Sequence, residues 1–194
     1  MKNKIIVITG KSSSGKDSLQ NYLVSNYDFV NLVSHTTRPP RPNESNGYDY
    51  YFINKEDFIN MNNKDLFIET REYKVNTEIG NDIWYYGLSK SELDITTILN
   101  KIVILDLKGM KELAEYIGRE NLFVVYLDCD SDIRIDRMIK RGGMTDQEIS
   151  RRFKSDELDF IGIEESVDLC ANTGEYSTED IAKIIAGAFE IEQI

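Results

Sequence analysis

The sequence GKSSSGKDS at residues 10–18 is the stretch that decides the fold of this 194-residue chain. It follows an apolar run at residues 5–8 and precedes an amphipathic segment that begins at Leu19. A strand, a glycine-bounded turn and a helix in this order form a loop whose backbone N–H groups converge on phosphate oxygens, and the helix dipole adds positive potential there. The alternative is a surface turn rich in serine and glycine that carries a lysine by coincidence. We expect nucleotide phosphates to be bound by Gly10, Ser12, Ser13, Ser14, Gly15, Lys16, Asp17 and Ser18.

Three residues at the end of this loop bear on its chemistry. Lys16 is a mobile positive charge that can reach the β- and γ-phosphates of a nucleotide. Asp17 stands where such loops usually carry the hydroxyl that binds Mg²⁺, and Ser18 follows it. The loop therefore predicts nucleotide binding without saying which reaction follows.

Five apolar runs predict buried parallel strands, because strands covered on both faces are continuously apolar rather than alternating. These runs are residues 4–9, 29–33, 101–106, 122–127 and 167–171. With helical segments between them, the expected fold is an α/β structure with a parallel five-stranded core sheet flanked by helices. We divide this single domain into a core (1–33, 96–130 and 160–194), an inserted β-rich subdomain (34–95) and a helical lid (131–159).

The formal net charge of −11 argues against nonspecific binding to nucleic acid or to an anionic membrane, since both need a basic surface. No apolar run approaches the ~20 residues of a membrane span, and the N-terminus enters a strand without the features of a signal peptide. Cys129 and Cys170 lie in apolar, strand-like contexts, so we expect two buried thiols. These features predict a cytoplasmic protein with no nucleic-acid or membrane partner.

Residues 34–47 contain all three prolines of the chain, so they form neither a helix nor a central strand. One interpretation is an extended linker. The other is that the stiffened backbone presents Arg38 and Arg41 to a single anion at a low entropic cost. An alternating strand is predicted next, at residues 48–53, and a polar turn further on, at residues 76–82.

Asp106 follows directly on the apolar run that begins at Lys101. A carboxylate at the end of a parallel strand resembles the Walker-B aspartate, which holds Mg²⁺ or its water. An aspartate there is equally suited to cap the helix predicted from Gly109. Both interpretations stay open.

Residues 132–141 predict a helix with Arg134, Arg137 and Arg141 on one face. Arg151 and Arg152 follow on a second helix that starts near Thr145, with Gly142 and Gly143 as a joint between the two. A charged helix face is usually only solvated. In an acidic chain, however, clustered arginines favour a lid that closes over phosphates.

The segment at residues 37–53, TRPPRPNESNGYDYYFI, resembles the guanylate kinase signature T-R-x-x-[RK]-x-x-[DE]-x-x-G-x-x-Y-x-[FY], and every specified position matches. The resemblance covers nearly the whole chain, with the loop first, the insertion next and the arginine-rich lid after the fourth core strand. It implies a P-loop kinase fold and transfer of the γ-phosphoryl group of ATP to GMP or dGMP with Mg²⁺ as the cofactor. The oligomeric state is left open, as monomer or dimer.

The resemblance also implies roles for individual residues. Catalytic residues would be Lys16, Arg38, Arg141 and Arg152. ATP would be bound by the loop together with Arg137 and Asn172. The GMP phosphate would be held by Arg38, Arg41, Tyr50 and Tyr86, and the guanine side would be formed by Ser34, Glu44, Glu69 and Asp106. Lys16-Asp17-Ser18 resembles the G-K-G-T variant of monophosphate kinases, which makes Ser18 and Asp106 the candidate metal residues.

Two departures from the family pattern concern the base. Leu105–Gly109 is shortened and lacks a second aspartate, and Leu88 stands where the family has serine or threonine. These departures leave a related nucleoside monophosphate kinase with altered base choice as an alternative. A non-catalytic guanylate-kinase-like binding module is a further alternative, which the presence of Lys16 disfavours.

Overall fold

The computed structural model describes residues 4–77, 80–93, 100–142 and 145–194. With elements numbered in chain order, the central sheet is parallel and has the order β2-β7-β1-β8-β9. Its strands are β1 (Ile5–Gly10), β2 (Phe29–Asn31), β7 (Asn100–Ile104), β8 (Leu122–Asp128) and β9 (Leu169–Asn172). All six residues of β1 are buried, as expected for a strand with neighbours on both sides and helices on both faces. The predicted parallel five-stranded core is therefore confirmed.

Two apolar layers cover the two faces of this sheet. On one face, residues such as Ile6 and Ile8 pack against α1 (Lys16–Asn26) and α7 (Thr178–Phe189). On the other face, Val7 and Val103 pack against α4 (Leu107–Ile117). The carboxyl ends of parallel strands share one edge, so the loops after β1, β7, β8 and β9 meet there.

A second sheet, of order β4-β3-β6-β5, arises entirely from residues 35–89 and so lies within the predicted insertion. Its strands are β3 (His35–Thr36), β4 (Tyr51–Phe52), β5 (Phe67–Thr77) and β6 (Gly80–Ser89), and two short helices accompany them, α2 (Lys55–Asn63) and α3 (Lys90–Leu93). The predicted strand at residues 48–53 is reduced to two paired residues.

The predicted polar turn at residues 76–82 is wrong in extent. β5 and β6 form a long antiparallel hairpin in which Asn76 pairs with Asn81 and Thr77 with Gly80. The polar residues reflect exposure to solvent and not a turn. An exposed antiparallel ribbon keeps its backbone pairing as long as its two strands stay in register. Residues 78–79 of that prediction lie outside the described residues.

The lid region consists of α5 (Ser131–Arg141) and α6 (Asp146–Asp159), as the arginine spacing predicts. Gly142 ends α5 with a φ of 67°, and Gly143 of the predicted joint lies outside the described residues. Thr145 begins α6 by accepting a hydrogen bond from the backbone of Glu148. One-turn 3₁₀ helices at Arg119–Asn121 and Ile163–Ser166 complete the chain's helices within the described ranges.

The cysteine prediction is half correct. Cys129 is buried, whereas Cys170 is exposed. Cys170 lies on β9, an edge strand of the central sheet, and its neighbour Ala171 turns to the buried side instead. None of the helices in the described ranges combines the length and the apolarity needed to cross a membrane.

Candidate active site

A cavity of about 610 Å³ opens where the carboxyl edge of the central sheet, the second sheet and α6 meet. A smaller cavity of about 140 Å³ adjoins it, and Tyr50 and Ile104 line both. The predicted residues that line the larger cavity are Gly10, Ser12, Lys16, Tyr50, Tyr86, Asp106 and Arg152. Those that line the smaller cavity are Asp17, Ser34, Arg41, Glu44, Tyr50 and Arg141. Residues predicted from distant parts of the chain thus converge on one cleft.

The loop at residues 10–18 has the predicted strand–loop–helix geometry, and two glycines permit it. Gly10 has a φ of 153°, and a Cβ there would lie 2.5 Å from the carbonyl oxygen of Leu127. Gly15 has a φ of 98° and is the N-cap of α1, which begins at Lys16. The first N–H groups of α1 consequently point into the loop, where an anion can bind them.

The Lys16 ammonium lies across this loop. Its Nζ donates to the carbonyl oxygens of Gly10, at 2.7 Å, and of Lys11, at 2.9 Å. Burial lowers the pKa of Lys16, while the carboxylates of Asp17 and Asp156 oppose that shift. A negatively charged phosphate in the loop would compensate this buried charge.

Helix α6 contacts the loop through carboxylates. The Asp156 carboxylate accepts from the Ser12 backbone N–H at 2.7 Å, and that of Glu157 accepts from Lys11 Nζ at 3.0 Å. Arg134, which is fully buried, pairs with Asp156 at 3.3 Å and with Glu157 at 2.6 Å. Arg134 therefore holds the lid acids together rather than facing the cleft with the other arginines of α5.

The remaining lid arginines reach the loop or the cavities. Arg137 donates to the carbonyl oxygen of Ser13 at 3.2 Å, and Arg141 pairs with Asp17 at 3.4 Å. Arg151 and Arg152 both pair with the buried Glu148, and both also line the larger cavity. Two arginines of α5 thus contact the loop, and two of α6 line the cavity that the loop bounds.

Of the other predicted donor-side residues, Asn172 ends β9 and accepts from the backbone N–H of Gly174 at 2.7 Å. Thr173, next in the chain, donates its hydroxyl to the carbonyl oxygen of Ser14 at 2.9 Å. Ser18 is exposed on the first turn of α1. These residues border the loop without lining either cavity.

The arginines of the signature are held by a shared carboxylate. Arg38 is 4% exposed and forms a two-pronged hydrogen bond with Glu44 at 2.9 and 2.8 Å. Glu44 also accepts from the Arg41 backbone N–H at 2.7 Å and lies 3.3 Å from its guanidinium. The structure thus pairs Glu44 with both arginines, because guanidinium forks match its two oxygens, and Glu44 also lines the smaller cavity, so its guanine-side role stays a prediction.

Burial works to raise the pKa of Glu44, but hydrogen bonds from Arg38 and Arg41 outweigh it and lower that pKa. The Arg38 guanidinium also lies over the rings of Tyr50 and Phe52, 5.5 and 5.7 Å from their centroids. Carboxylate and rings fix the guanidinium plane before any ligand arrives.

Tyrosines connect the arginines to the deeper part of the cleft. The rings of Tyr50 and Tyr86 lie 5.8 Å apart, and those of Tyr86 and Tyr73 lie 5.5 Å apart. Burial raises the pKa of Tyr50 to about 12, so its hydroxyl stays protonated and can donate a hydrogen bond to an anion.

Four polar side chains meet at the deep end of the larger cavity: Glu69, Arg71, Tyr73 and Asp106. Glu69 Oε2 lies 2.7 Å from Arg71 Nε, and Glu69 Oε1 accepts from Arg71 Nη2 at 3.0 Å. Asp106 Oδ1 accepts from the backbone N–H of Gly109 and Oδ2 from the Tyr73 hydroxyl. Asp106 is therefore a helix cap, the second of its two interpretations, and it also faces the cleft.

The sequence interpretation missed Arg71, Tyr73 and the loop-binding acids Asp156 and Glu157. A signal for the first two was present, because strand side chains alternate and residues 69, 71 and 73 share a face. No local pattern joins Ser12 to Asp156, which lies 144 residues further along the chain.

Comparisons with known proteins agree with one another. A family model described as guanylate kinase matches residues 2–187. Guanylate kinase of Clostridium tetani is 35% identical over 164 residues, which are 82% of this chain and 74% of the relative. Guanylate kinase of Mycoplasmopsis synoviae is 36% identical over 152 residues, 73% of this chain and 72% of the relative. The crystal structure of guanylate kinase from Anaplasma phagocytophilum has a TM-score of 0.70 at 21% identity, over 97% of this chain and 85% of that one, which is a likeness of fold.

Proposed function

The chain belongs to the guanylate kinase family and transfers the γ-phosphoryl group of ATP to GMP, and on that basis we propose which residues bind ATP, which bind GMP and which assist the transfer. The observation that carries this division is the larger cavity. The phosphate loop bounds it on one side, the aromatic and arginine side chains of the second sheet bound it on another, and α6 lies across it. Two nucleotides meeting end to end in this cleft would bring their phosphates together between loop and arginines.

We assign the donor side to residues 10–18. Small residues and the N-terminus of α1 provide N–H groups for the phosphates of ATP, and Lys16 exchanges its carbonyl contacts for phosphate oxygens. Arg137 and Asn172, beside the loop, lie on the adenine side of this assignment.

We assign the acceptor side to the second sheet and the signature segment. Arg38, Arg41, Tyr50 and Tyr86 hold the GMP phosphate. Glu44 acts through Arg38 and Arg41 by fixing their positions. Ser34, Glu69 and Asp106 form the guanine side. Carboxylates suit guanine because its N1–H and N2 amino group are adjacent donors, whereas adenine offers an acceptor at N1.

Transfer needs in-line placement and neutralised oxygens rather than a nucleophilic side chain. Lys16, Arg141 and Arg152, together with Arg38 on the acceptor, are the proposed catalytic charges. The acceptor phosphate is already an anion at neutral pH, so no histidine base is required. Helix α6 over the cleft would exclude water from the γ-phosphate.

We propose Mg²⁺ as the cofactor of the reaction, where it would neutralise charge on the phosphate oxygens. In the described part of the chain, no three acidic, histidine or cysteine side chains group into a metal site. Asp106 already accepts one hydrogen bond on each oxygen, which leaves each oxygen with one further lone pair. We therefore infer that ATP oxygens and water would supply most of the ligands, with Ser18 and Asp106 as the candidate protein residues. A cytoplasmic location, where ATP and GMP are present, belongs to the same proposal.

One assay tests the reaction: ADP formation from ATP and Mg²⁺ with GMP, dGMP, AMP, CMP or UMP as the acceptor. We expect GMP and dGMP to be turned over at least tenfold faster than the others, since a mismatched base leaves a buried donor or acceptor unpaired. Similar rates with AMP and GMP would contradict the guanine assignment. Folded protein that forms no ADP with any acceptor would overturn the kinase assignment itself.

A further inference from the structure

Arg71 is a charged residue at the deep end of the cleft that the roles above leave unused. It lies on β5 of the second sheet, is 9% exposed and lines the larger cavity. Its Nε and Nη2 face Glu69, and its Nη1 lies 4.0 Å from Asp106 Oδ1. The guanidinium thus has one side engaged by a carboxylate and the other directed toward a second cavity-lining carboxylate.

Glu69 is enclosed on all sides by the protein. Its side chain is fully buried, and Oε1 accepts from the Leu88 backbone N–H at 2.8 Å as well as from Arg71. A Cβ added at Gly109, on α4, would lie 2.9 Å from Oε2, so α4 covers the other oxygen. Glu69 thus holds Arg71 in place from behind and lines neither of the two cavities itself.

Within the cleft, Arg71 supplies guanidinium donors near two β6 residues, Gly87 and Leu88, whose side chains supply none, while Tyr86 directly opposite it supplies one hydroxyl. The Leu88 side chain is fully buried in the apolar layer below, and Gly87 has no side chain. A guanidinium has five N–H donors, and Glu69 engages those on only one side. Burial works to lower the pKa of Arg71, but the carboxylates of Glu69 and Asp106 outweigh it and raise that pKa, so the group stays charged.

We propose that Arg71 is a base-recognition residue, which donates from its free side to O6 of guanine while Asp106 accepts from N1–H and the N2 amino group. This inference rests on the proposed function and makes Glu69 a positioning residue that acts through Arg71. The Watson–Crick edge of guanine has an acceptor next to two donors, and Arg71 beside Asp106 offers a donor next to acceptors. In DNA recognition, arginine to O6 and N7 of guanine is the commonest specific contact to a base, and O6 is the acceptor that the site proposed here would share.

The same pair rejects adenine. In the guanine position, adenine would direct its N6 amino group at the guanidinium and its N1 lone pair at the carboxylate. Donor would face donor and acceptor would face acceptor in a buried site, where unpaired groups are costly. The Arg71 guanidinium stacks on Tyr86, with its Cζ 5.8 Å from the ring centroid. This stacking restricts rotation of the guanidinium away from the orientation that pairs with guanine.

The test is the ratio of kcat/KM for GMP to kcat/KM for AMP, with Arg71→Lys compared to Arg119→Lys. Arg119 lies away from both cavities and pairs with Asp168. Arg71→Lys keeps a charge beside Glu69 but loses the planar fork, so we expect the ratio to fall about 10- to 100-fold. The KM for ATP should not change. IMP, which keeps O6 and N1–H but lacks the N2 amino group, should lose as much from Arg71→Lys as GMP does.

A merely structural role would change the KM values for ATP and GMP together and leave the GMP-to-AMP ratio intact, and that result overturns the inference. If Arg71→Lys does not fold, the same GMP-to-AMP ratio is measured on the double variant Glu69→Gln with Arg71→Met, which removes both buried charges. A fall in this ratio supports the inference, and an unchanged ratio overturns it. Wild-type protein that fails to phosphorylate GMP refutes the proposed function instead, whatever Arg71 does.

Discussion

The two regions that we propose to bind phosphates are organised in opposite ways. On the acceptor side, Arg38, Arg41 and their carboxylate Glu44 lie within seven consecutive residues, and they are hydrogen-bonded to one another. On the donor side, the loop at residues 10–18 meets its partners Asp156 and Glu157 across more than 140 residues. The proposed acceptor site is therefore preorganised locally, whereas the proposed donor site depends on where α6 lies.

The two regions also differ in what their carboxylates contact. The Glu44 carboxylate holds Arg38 and Arg41 in place, and Glu44 and Arg41 both line the smaller cavity. The donor carboxylate of Asp156 sits directly on the Ser12 N–H, a group that a phosphate would use. In the signature segment a carboxylate orients the guanidinium donors, whereas in the loop a carboxylate occupies a backbone donor itself. Four substitutions test this contrast, from the largest expected effect to the smallest.

Lys16→Met should cause the largest loss. The ammonium is the only side-chain cation described within residues 12–18 of the loop, and its removal leaves charge on the transferring phosphoryl group uncompensated. We expect turnover to fall on the order of 10³-fold, with GMP binding unchanged by isothermal titration. A variant that keeps turnover within tenfold of wild type would contradict the donor assignment.

Arg41→Met should act on the acceptor alone. The Arg41 side chain is partly exposed, so the fold should tolerate the change, while the GMP phosphate loses one charged hydrogen-bond donor. We expect kcat/KM for GMP to fall about 10²-fold, at an unchanged KM for ATP in steady-state assays. Arg119→Met, a surface change far from the cleft, is the matched control. Wild-type kinetics with GMP would show that Arg41 does not hold its phosphate.

Glu44→Gln should disorganise the same site without removing a ligand of the phosphate. We expect the KM for GMP to rise about tenfold, because the amide replaces one charged partner of two guanidiniums. The pKa of Glu44 is lowered below the ordinary value of 4.5, so the ionised group stabilises the fold above pH 4.5. That stability is lost as the pH falls through the lower folded-state pKa.

Denaturant unfolding measures this pH dependence. Wild type should be more stable than Glu44→Gln at pH 7, and the difference should shrink below pH 4.5. A difference that is constant from pH 7 to pH 3 would show that the carboxylate charge is not what organises the arginines.

Asp156→Asn should give the smallest effect, and in the opposite direction. The amide oxygen can still accept from Ser12, but a negative charge next to the incoming phosphates is gone. We expect the KM for ATP to fall about threefold with the KM for GMP unchanged. Asp159→Asn, on the same helix and also lining the cavity, is the control. Equal effects of both variants would mean that general charge, and not the contact to the loop, is responsible.

Much of this molecule follows from local pattern. The apolar runs predicted the five parallel strands, and the spacing of Gly10, Gly15 and Lys16 predicted the loop, because backbone geometry at those positions depends on neighbouring residues. The arginine spacing in residues 132–152 likewise predicted two helices. The assignment of the individual site residues stays a prediction until substitutions test it.

What the pattern did not predict depends on partners distant in sequence. Arg134 was grouped with Arg137 and Arg141 by helical spacing, yet its burial against Asp156 and Glu157 depends on how α5 packs on α6. Cys170 lies in an apolar run, yet it is exposed because it points to the opposite face of edge strand β9 from the buried Ala171. Helical spacing and hydrophobicity predict on which face of a helix or strand a residue lies. The tertiary packing then determines what covers that face.

The position of β1 in the sheet has a consequence for synthesis of the chain. β1 is among the first residues made, but its partners β7 and β8 begin at residues 100 and 122, and Ser14 meets Thr173 across a separation of 159 residues. Loop closures of this length are slow and come late. During translation, the second sheet, whose β3–β4 connection carries Arg38 and Arg41, has all its strands by residue 89, whereas the loop at residues 10–18 waits for nearly the whole chain. A nascent chain therefore completes its second sheet well before this loop can meet its partners.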